Sequence, residues 1–152
     1  MEIPIKHLLV PVDGSPGAQR AVAYAGQLAR WSGADIVLLH VHRPDPYRVE
    51  SLAEVPPVGE FQSMAALEAR MNDPAQDPVF EEARKVLGKI QPADAQIRWG
   101  QPAAVICEYA QANGIDQIVM GARGRSSFAA LLLGSVSAQV LQHAHCPVTI
   151  VR

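Results

Sequence analysis

Two segments of the chain carry residue types at spacings that suit anion and sugar chemistry. The first is Val10-Pro11-Val12-Asp13-Gly14-Ser15. An apolar run ends there in a carboxylate, Asp13, which can accept hydrogen bonds from a sugar hydroxyl. The plainer alternative is an Asx-turn leading into a helix, since Asp and Gly are common in such turns. The second segment is Gly121-Ala122-Arg123-Gly124-Arg125-Ser126-Ser127, which continues to Gly134-Ser135-Val136-Ser137. Glycines let a backbone approach an anion and turn its N–H groups inward. Gly134 and Ser135 open a helix whose free N–H groups and dipole favour a phosphate. Ser126, Ser135 and Ser137 add hydroxyl donors, and Arg123 and Arg125 add positive charge. The plainer alternative is a flexible loop capped by Ser135, but strand, loop and helix start come in the order that phosphate binding needs.

Two familiar phosphate loops are excluded. No lysine follows the glycines, so G-x-x-x-x-G-K-S/T is absent. G-x-G-x-x-G is absent too, and the glycines follow the fourth strand pattern where that fingerprint follows the first. Other reactive side chains offer less. His40 and His42 alternate on a strand pattern and would face one side, yet no cysteine or carboxylate cluster completes a metal set. They read as a half-buried strand end with a possible contact to a base. His143 and His145 flank the end of the last helix, where imidazole suits the dipole. Cys107 reads as core, Cys146 precedes Pro147, and Trp31 and Trp99 read as packing residues. Asp13 is the one candidate for activating water or holding a metal, and it has no partner acid.

The elements that must position these residues alternate. His7 to Val12 and Ile36 to Val41 are apolar at nearly every position, which needs cover on both faces. Between them Ser15 caps and Pro16 starts a helix that Gly33 ends. Residues 43–78 hold six of the twelve prolines and form a surface excursion with one short helix near Ser63 to Met71. Asp77 and Pro78 start a helix running to about Ile90. Ala95 to Trp99 alternates and belongs at a sheet edge. Gln101-Pro102 opens a helix ended by Gly114. Ile118 to Met120 is a buried strand, Ser135 to His143 the last helix, and Pro147 to Val151 the closing strand. The expectation is a single α/β domain over 1–152, a doubly wound parallel sheet with helices on both faces. Such sheets bind ligands beyond the carboxyl ends of their strands, where the winding reverses.

Composition narrows the partners. The 152 residues are 49% hydrophobic, 18% charged and carry a net charge of −2. That suits one well-cored domain and excludes a disordered chain. Thirteen basic against fifteen acidic residues give no sign of nucleic acid or an anionic membrane. No apolar run approaches the roughly 20 residues of a spanning helix. The start, MEIPIKHLLVPVDGS, reads as a first strand and not a signal peptide. The two cysteines, far apart, fit a reducing cytoplasm.

The spacing G-x2-G-x9-G-S at Gly121, Gly124, Gly134 and Ser135 resembles the nucleotide-binding signature of the universal stress proteins. The opening LLVPVDGS and the ending GSVSAQVLQHAHCPVTIVR resemble the same family's first strand and last helix–strand unit. The likeness spans nearly the whole chain outside residues 43–78. It implies a five-stranded parallel sheet in the order 3-2-1-4-5, in keeping with the edge position read for Ala95 to Trp99. It also implies ATP binding in members that keep the glycines. Carried over, Asp13 meets the ribose or adenine and Val41 with its neighbours frames the adenine. Gly121, Arg123, Gly124, Gly134, Ser135, Val136 and Ser137 surround the phosphates, and Pro11, Val12 and Met120 line the pocket. Mg²⁺ would arrive with ATP on phosphate oxygens.

The functional expectation is an ATP-binding regulator or stress-response factor that is not primarily an enzyme. One acid without a catalytic lysine predicts slow hydrolysis at most. The rivals are a slow ATPase on the same fold, an interaction module without nucleotide, and a binder of AMP or cyclic AMP. Pro147 to Val151 is short, apolar and terminal. Such an edge invites pairing with a second copy across a two-fold axis, and the resemblance also points to a homodimer.

Overall fold

The computed structural model describes residues 1, 4–44, 64–124 and 133–152. The chain runs β1 (His7–Pro11), α1 (Pro16–Ser32), β2 (Asp35–His42), α2 (Met64–Met71), α3 (Pro78–Leu87), β3 (Asp94–Trp99), α4 (Pro102–Ala112), β4 (Gln117–Gly121), α5 (Ser135–His143) and β5 (Val148–Val151). The five strands form one sheet in the order β3-β2-β1-β4-β5, every pairing parallel. The order reverses between β1 and β4. Residues 45–63 of the proline-rich excursion, and the Arg125 to Phe128 run, lie outside the described residues.

Alternation along β1 sends its side chains to opposite faces. Leu8 and Val10 enter one core with Val22, Leu38 and Phe80, beneath α1 and α3. Leu9 enters the other with Leu39, Ile106, Ile118 and Val140, beneath α4 and α5. This is why β1 and β2 read as continuous apolar runs. On β3 the one buried residue is Ile97, as befits an edge strand.

Local chemistry sets the helix ends. The Ser15 hydroxyl accepts from the Ala18 N–H at 3.2 Å, Pro16 opens α1, and Gly33 ends it in the left-handed region at φ 73°. The α1 face toward the sheet is thin: Gly17, Ala18, Ala21, Val22 and Ala25. It therefore lies close against the strands. Asp77 caps α3, which ends at Leu87 before Gly88 and so falls short of the expected Ile90. Ile90 nevertheless packs on the first core.

Of the two tryptophans, Trp31 departs from the expected packing role. Trp31 is 78% exposed on the far side of α1 and packs no core. Trp99 is 41% exposed, but its ring stacks on His42 with centroids 4.8 Å apart. Cys107 and Cys146 are both half-buried against the second core, and burial pushes both thiols above their ordinary pKa. Neither has the lowered pKa of a reactive cysteine.

Candidate nucleotide site

The crevice opens because β1 and β4 part early. They pair at Leu8↔Gln117 and Leu9↔Ile118. Val12 N–H donates to Leu39 O of β2 at 2.9 Å. By alternation the Pro11 nitrogen faces β4, and proline has no hydrogen to give it. The β1–β4 ladder therefore stops, while β1 stays bonded to β2 through Leu39 and β4 to β5 through Val151.

Glycines line the gap on its α1 side. A Cβ on Gly121 would stand 2.7 Å from the Gly17 carbonyl carbon and 2.8 Å from its oxygen. A Cβ on Gly17 would stand 2.8 Å from Arg123 O, and one on Gly124 would stand 2.8 Å from Asp13 Oδ2. The start of α1 and the end of β4 thus touch backbone to backbone. Asp13 also accepts the Ser15 N–H on Oδ1 at 2.9 Å, so the Asx-turn is real and coexists with a place in the crevice.

The second glycine segment folds back on the first. Gly134 N–H donates to Ala122 O at 2.7 Å. The Ser137 hydroxyl, 2% exposed as a residue, lies 2.7 Å from the same carbonyl and 3.0 Å from Gly134 O. Its hydrogen is therefore committed to loop carbonyls. The N-cap of α5 is Gly134, not Ser135, and no side chain caps it. The first-turn N–H groups of a helix have no partner within the helix, and here no cap side chain takes them.

These features enclose a cavity of about 460 Å³ at the carboxyl ends of β1, β2 and β4, within the range of small-molecule sites. The structure brings to this one cavity Pro11, Val12, Asp13, Val41, Met120, Gly121, Arg123, Gly124, Gly134, Ser135, Val136 and Ser137, whereas Arg125 and Ser126 lie outside the described residues. Sequence reasoning missed Pro102 and Ile106 of α4, the α1 cap Ser15 and Ala18 of α1, and Leu39 and Ala122. The Gln101-Pro102 helix start, just after a strand, was the available signal, because helices that follow strands begin at this end of the sheet.

His40, His42 and Arg43 also line the cavity. The two imidazoles share one face of β2, with ring centroids 4.2 Å apart. Here the structure corrects the reading that no carboxylate joins them. Asp77 Oδ2 lies 2.6 Å from His40 Nδ1 and 3.5 Å from His42 Nε2. The other oxygen, Oδ1, accepts the Val79 N–H at 2.9 Å as the α3 cap. Burial alone would raise the Asp77 pKa, but the His40 and Val79 hydrogen bonds and the nearby imidazole charge hold it below the ordinary carboxylate value.

The sequence pattern of the universal stress protein family matches residues 4–152. The chain belongs to that family. It is 35% identical over 147 residues to a universal stress protein of Thermus aquaticus encoded in the QAH/OAS sulfhydrylase 3' region, covering 97% of this chain and 98% of that one. Among solved structures it resembles the universal stress protein UspA from Lactobacillus plantarum, with a TM-score of 0.72 and 27% identity. That match covers 99% of this chain and 100% of the other. A universal stress protein in complex with cAMP is similar at a TM-score of 0.63 and 26% identity, covering 99% and 98% of the two chains. No helix among the described residues is long and apolar enough to cross a membrane.

Proposed function

We propose that this universal stress protein binds an adenine nucleotide, ATP in the first instance, and acts as a nucleotide-dependent regulator. The observation that carries the reading is the meeting of Gly121, Gly124 and the uncapped start of α5 at one cavity where the strand order reverses. Close-packed glycine backbone and open helix N–H groups suit phosphates. In this reading Arg123 contributes charge and Ser135 a hydroxyl. Ser137 supports the loop through Ala122 O. Asp13 receives ribose hydroxyls, while Pro11, Val12, Val41 and Met120 surround the base. Mg²⁺ would bind through phosphate oxygens, which suits its preference for oxygen and retained water.

The chemistry proposed is binding, with hydrolysis slow at most. Saturable phosphate release that falls on Asp13→Ala would favour a slow ATPase. A cyclic or single phosphate is the second reading, favoured by the relative in complex with cAMP. The half-buried edge strand β5 is proposed as a homodimer contact, since no strand among the described residues pairs with its outer side.

The test is calorimetric titration of ATP, ADP, AMP and cyclic AMP into wild type and Gly124→Val. ATP binding that the variant loses while staying folded supports the site. A folded wild type that binds none of them overturns the reading and leaves an interaction module.

A further inference from the structure

We propose that His40, His42 and Asp77 form a binding site for one borderline divalent metal ion of the zinc class. Three donors from two separate elements converge there. One ligand atom from each residue can be chosen so that all lie within 4.8 Å of one another. The site does not depend on nucleotide binding, although both histidines reach the cavity wall.

The donor set selects the metal. Two imidazoles and one carboxylate suit Zn²⁺, Co²⁺ or Ni²⁺, whereas Mg²⁺ and Ca²⁺ prefer oxygen ligands. Three protein ligands leave a fourth position for water or an added group. Metal–ligand bonds of about 2.0–2.1 Å in a tetrahedron put neighbouring ligand atoms about 3.3–3.4 Å apart. His42 Nε2 and Asp77 Oδ2 already stand at 3.5 Å. His40 Nδ1 and Asp77 Oδ2, at 2.6 Å, share a hydrogen. A metal that replaces this hydrogen needs them to part by less than an ångström.

Each ligand is also held in place. Asp77 is fixed by its cap bond to Val79, which leaves Oδ2 turned to the imidazoles. The His40 and Phe80 rings stand nearly perpendicular, with centroids 6.2 Å apart. His42 stacks on Trp99, whose indole N–H donates to Asn72 Oδ1 at 2.7 Å. Fixed orientation of this kind raises metal affinity. The bland account of the cluster is a His–Asp bond that merely ties α3 to β2, and it predicts no saturable metal uptake.

The experiment uses the full chain without an affinity tag, freed of metal by chelator and dialysis. Zn²⁺ is titrated calorimetrically and Co²⁺ by visible absorption, in wild type, His42→Gln, Asp77→Asn and His143→Ala. Asparagine keeps the helix cap, so Asp77→Asn should stay folded, which circular dichroism checks. The expected result is a single saturable equivalent per chain and a low-coordinate Co²⁺ spectrum. Affinity should fall at least ~10-fold in His42→Gln and Asp77→Asn and stay unchanged in His143→Ala. A folded wild type without saturable uptake overturns the proposal. So does uptake that His42→Gln and Asp77→Asn leave intact.

Discussion

Gly124 sits against the Asp13 side chain so closely that a Cβ on Gly124 would stand 2.8 Å from Asp13 Oδ2. The two candidate segments, more than a hundred residues apart in sequence, thus meet through the one atom that glycine lacks. A methyl group there must push the carboxylate aside, which is inexpensive for the fold because Asp13 is half-exposed. It is costly for a site that needs both groups in place. Gly124→Ala should therefore weaken ATP binding about 10-fold or more, since small misplacements are amplified at a positioned site. The melting temperature should hardly move. Calorimetry beside thermal unfolding reads both, and full ATP affinity in the variant would detach the Asp13–Gly124 contact from binding.

Ser137 presents the opposite balance. Its buried hydroxyl bonds the Ala122 carbonyl at 2.7 Å, and the Gly134 N–H bonds the same oxygen at 2.7 Å. That oxygen joins the end of β4 to the start of α5. Ser137→Ala removes one of these two bonds from a buried place and should cost about 1–2 kcal/mol of stability. Chemical denaturation measures this directly. Nucleotide affinity should drop less than in Gly124→Ala, because the backbone bond from Gly134 still holds the loop.

Much of this arrangement was legible in the sequence, and the reasons are local. Ser15-Pro16 and Gly33 mark α1 by cap chemistry alone. The nearly continuous apolar runs of β1 and β2 announce a sheet covered on both faces. The edge position of β3 follows from its alternation, which leaves Ile97 as its buried residue. The glycine spacing located residues that share one cavity, since close backbone approach depends on glycine and leaves a direct trace in residue type. What stayed hidden depends on tertiary approach. Asp77 reads as a helix cap, and it is one, but only the packing of α3 on β2 brings its second oxygen to His40 and His42. Trp31 reads as a packing residue by its type, whereas its position on α1 faces solvent. The close contact of Gly17 with Gly121 was equally invisible, because glycine pairs carry no periodic signal.

That contact makes its own prediction. The atoms a Cβ on Gly121 would strike, 2.7 and 2.8 Å away, belong to the Gly17 backbone and not to a flexible side chain. Relief requires α1 to move off the sheet. Gly121→Ala should destabilise the protein by about 1–3 kcal/mol, the usual range for overpacking. The urea midpoint should fall with the slope unchanged. A variant as stable as wild type would mean that α1 shifts freely.

Asp116 supplies a pH test far from the cavity. Its Oδ2 accepts the Lys6 N–H at 2.8 Å and the His7 N–H at 2.9 Å, fixing the start of β1 beside the turn into β4. Those two bonds, Lys6 first, hold its carboxyl below the ordinary value of 3.8. A carboxylate with a lowered folded pKa binds its proton more weakly in the folded state than in the unfolded one. Its contribution is therefore complete above the unfolded value and is lost as pH falls through the folded one. Asp116→Ala should cost about 1 kcal/mol at neutral pH, a figure kept small by solvent exposure. The gap between wild type and variant should close below pH 3.8, where the folded state too takes up the proton. Paired urea titrations from neutral to acid pH measure that gap, and a constant difference down to the acid limit would show that the lost bonds did not depend on the charge of Asp116.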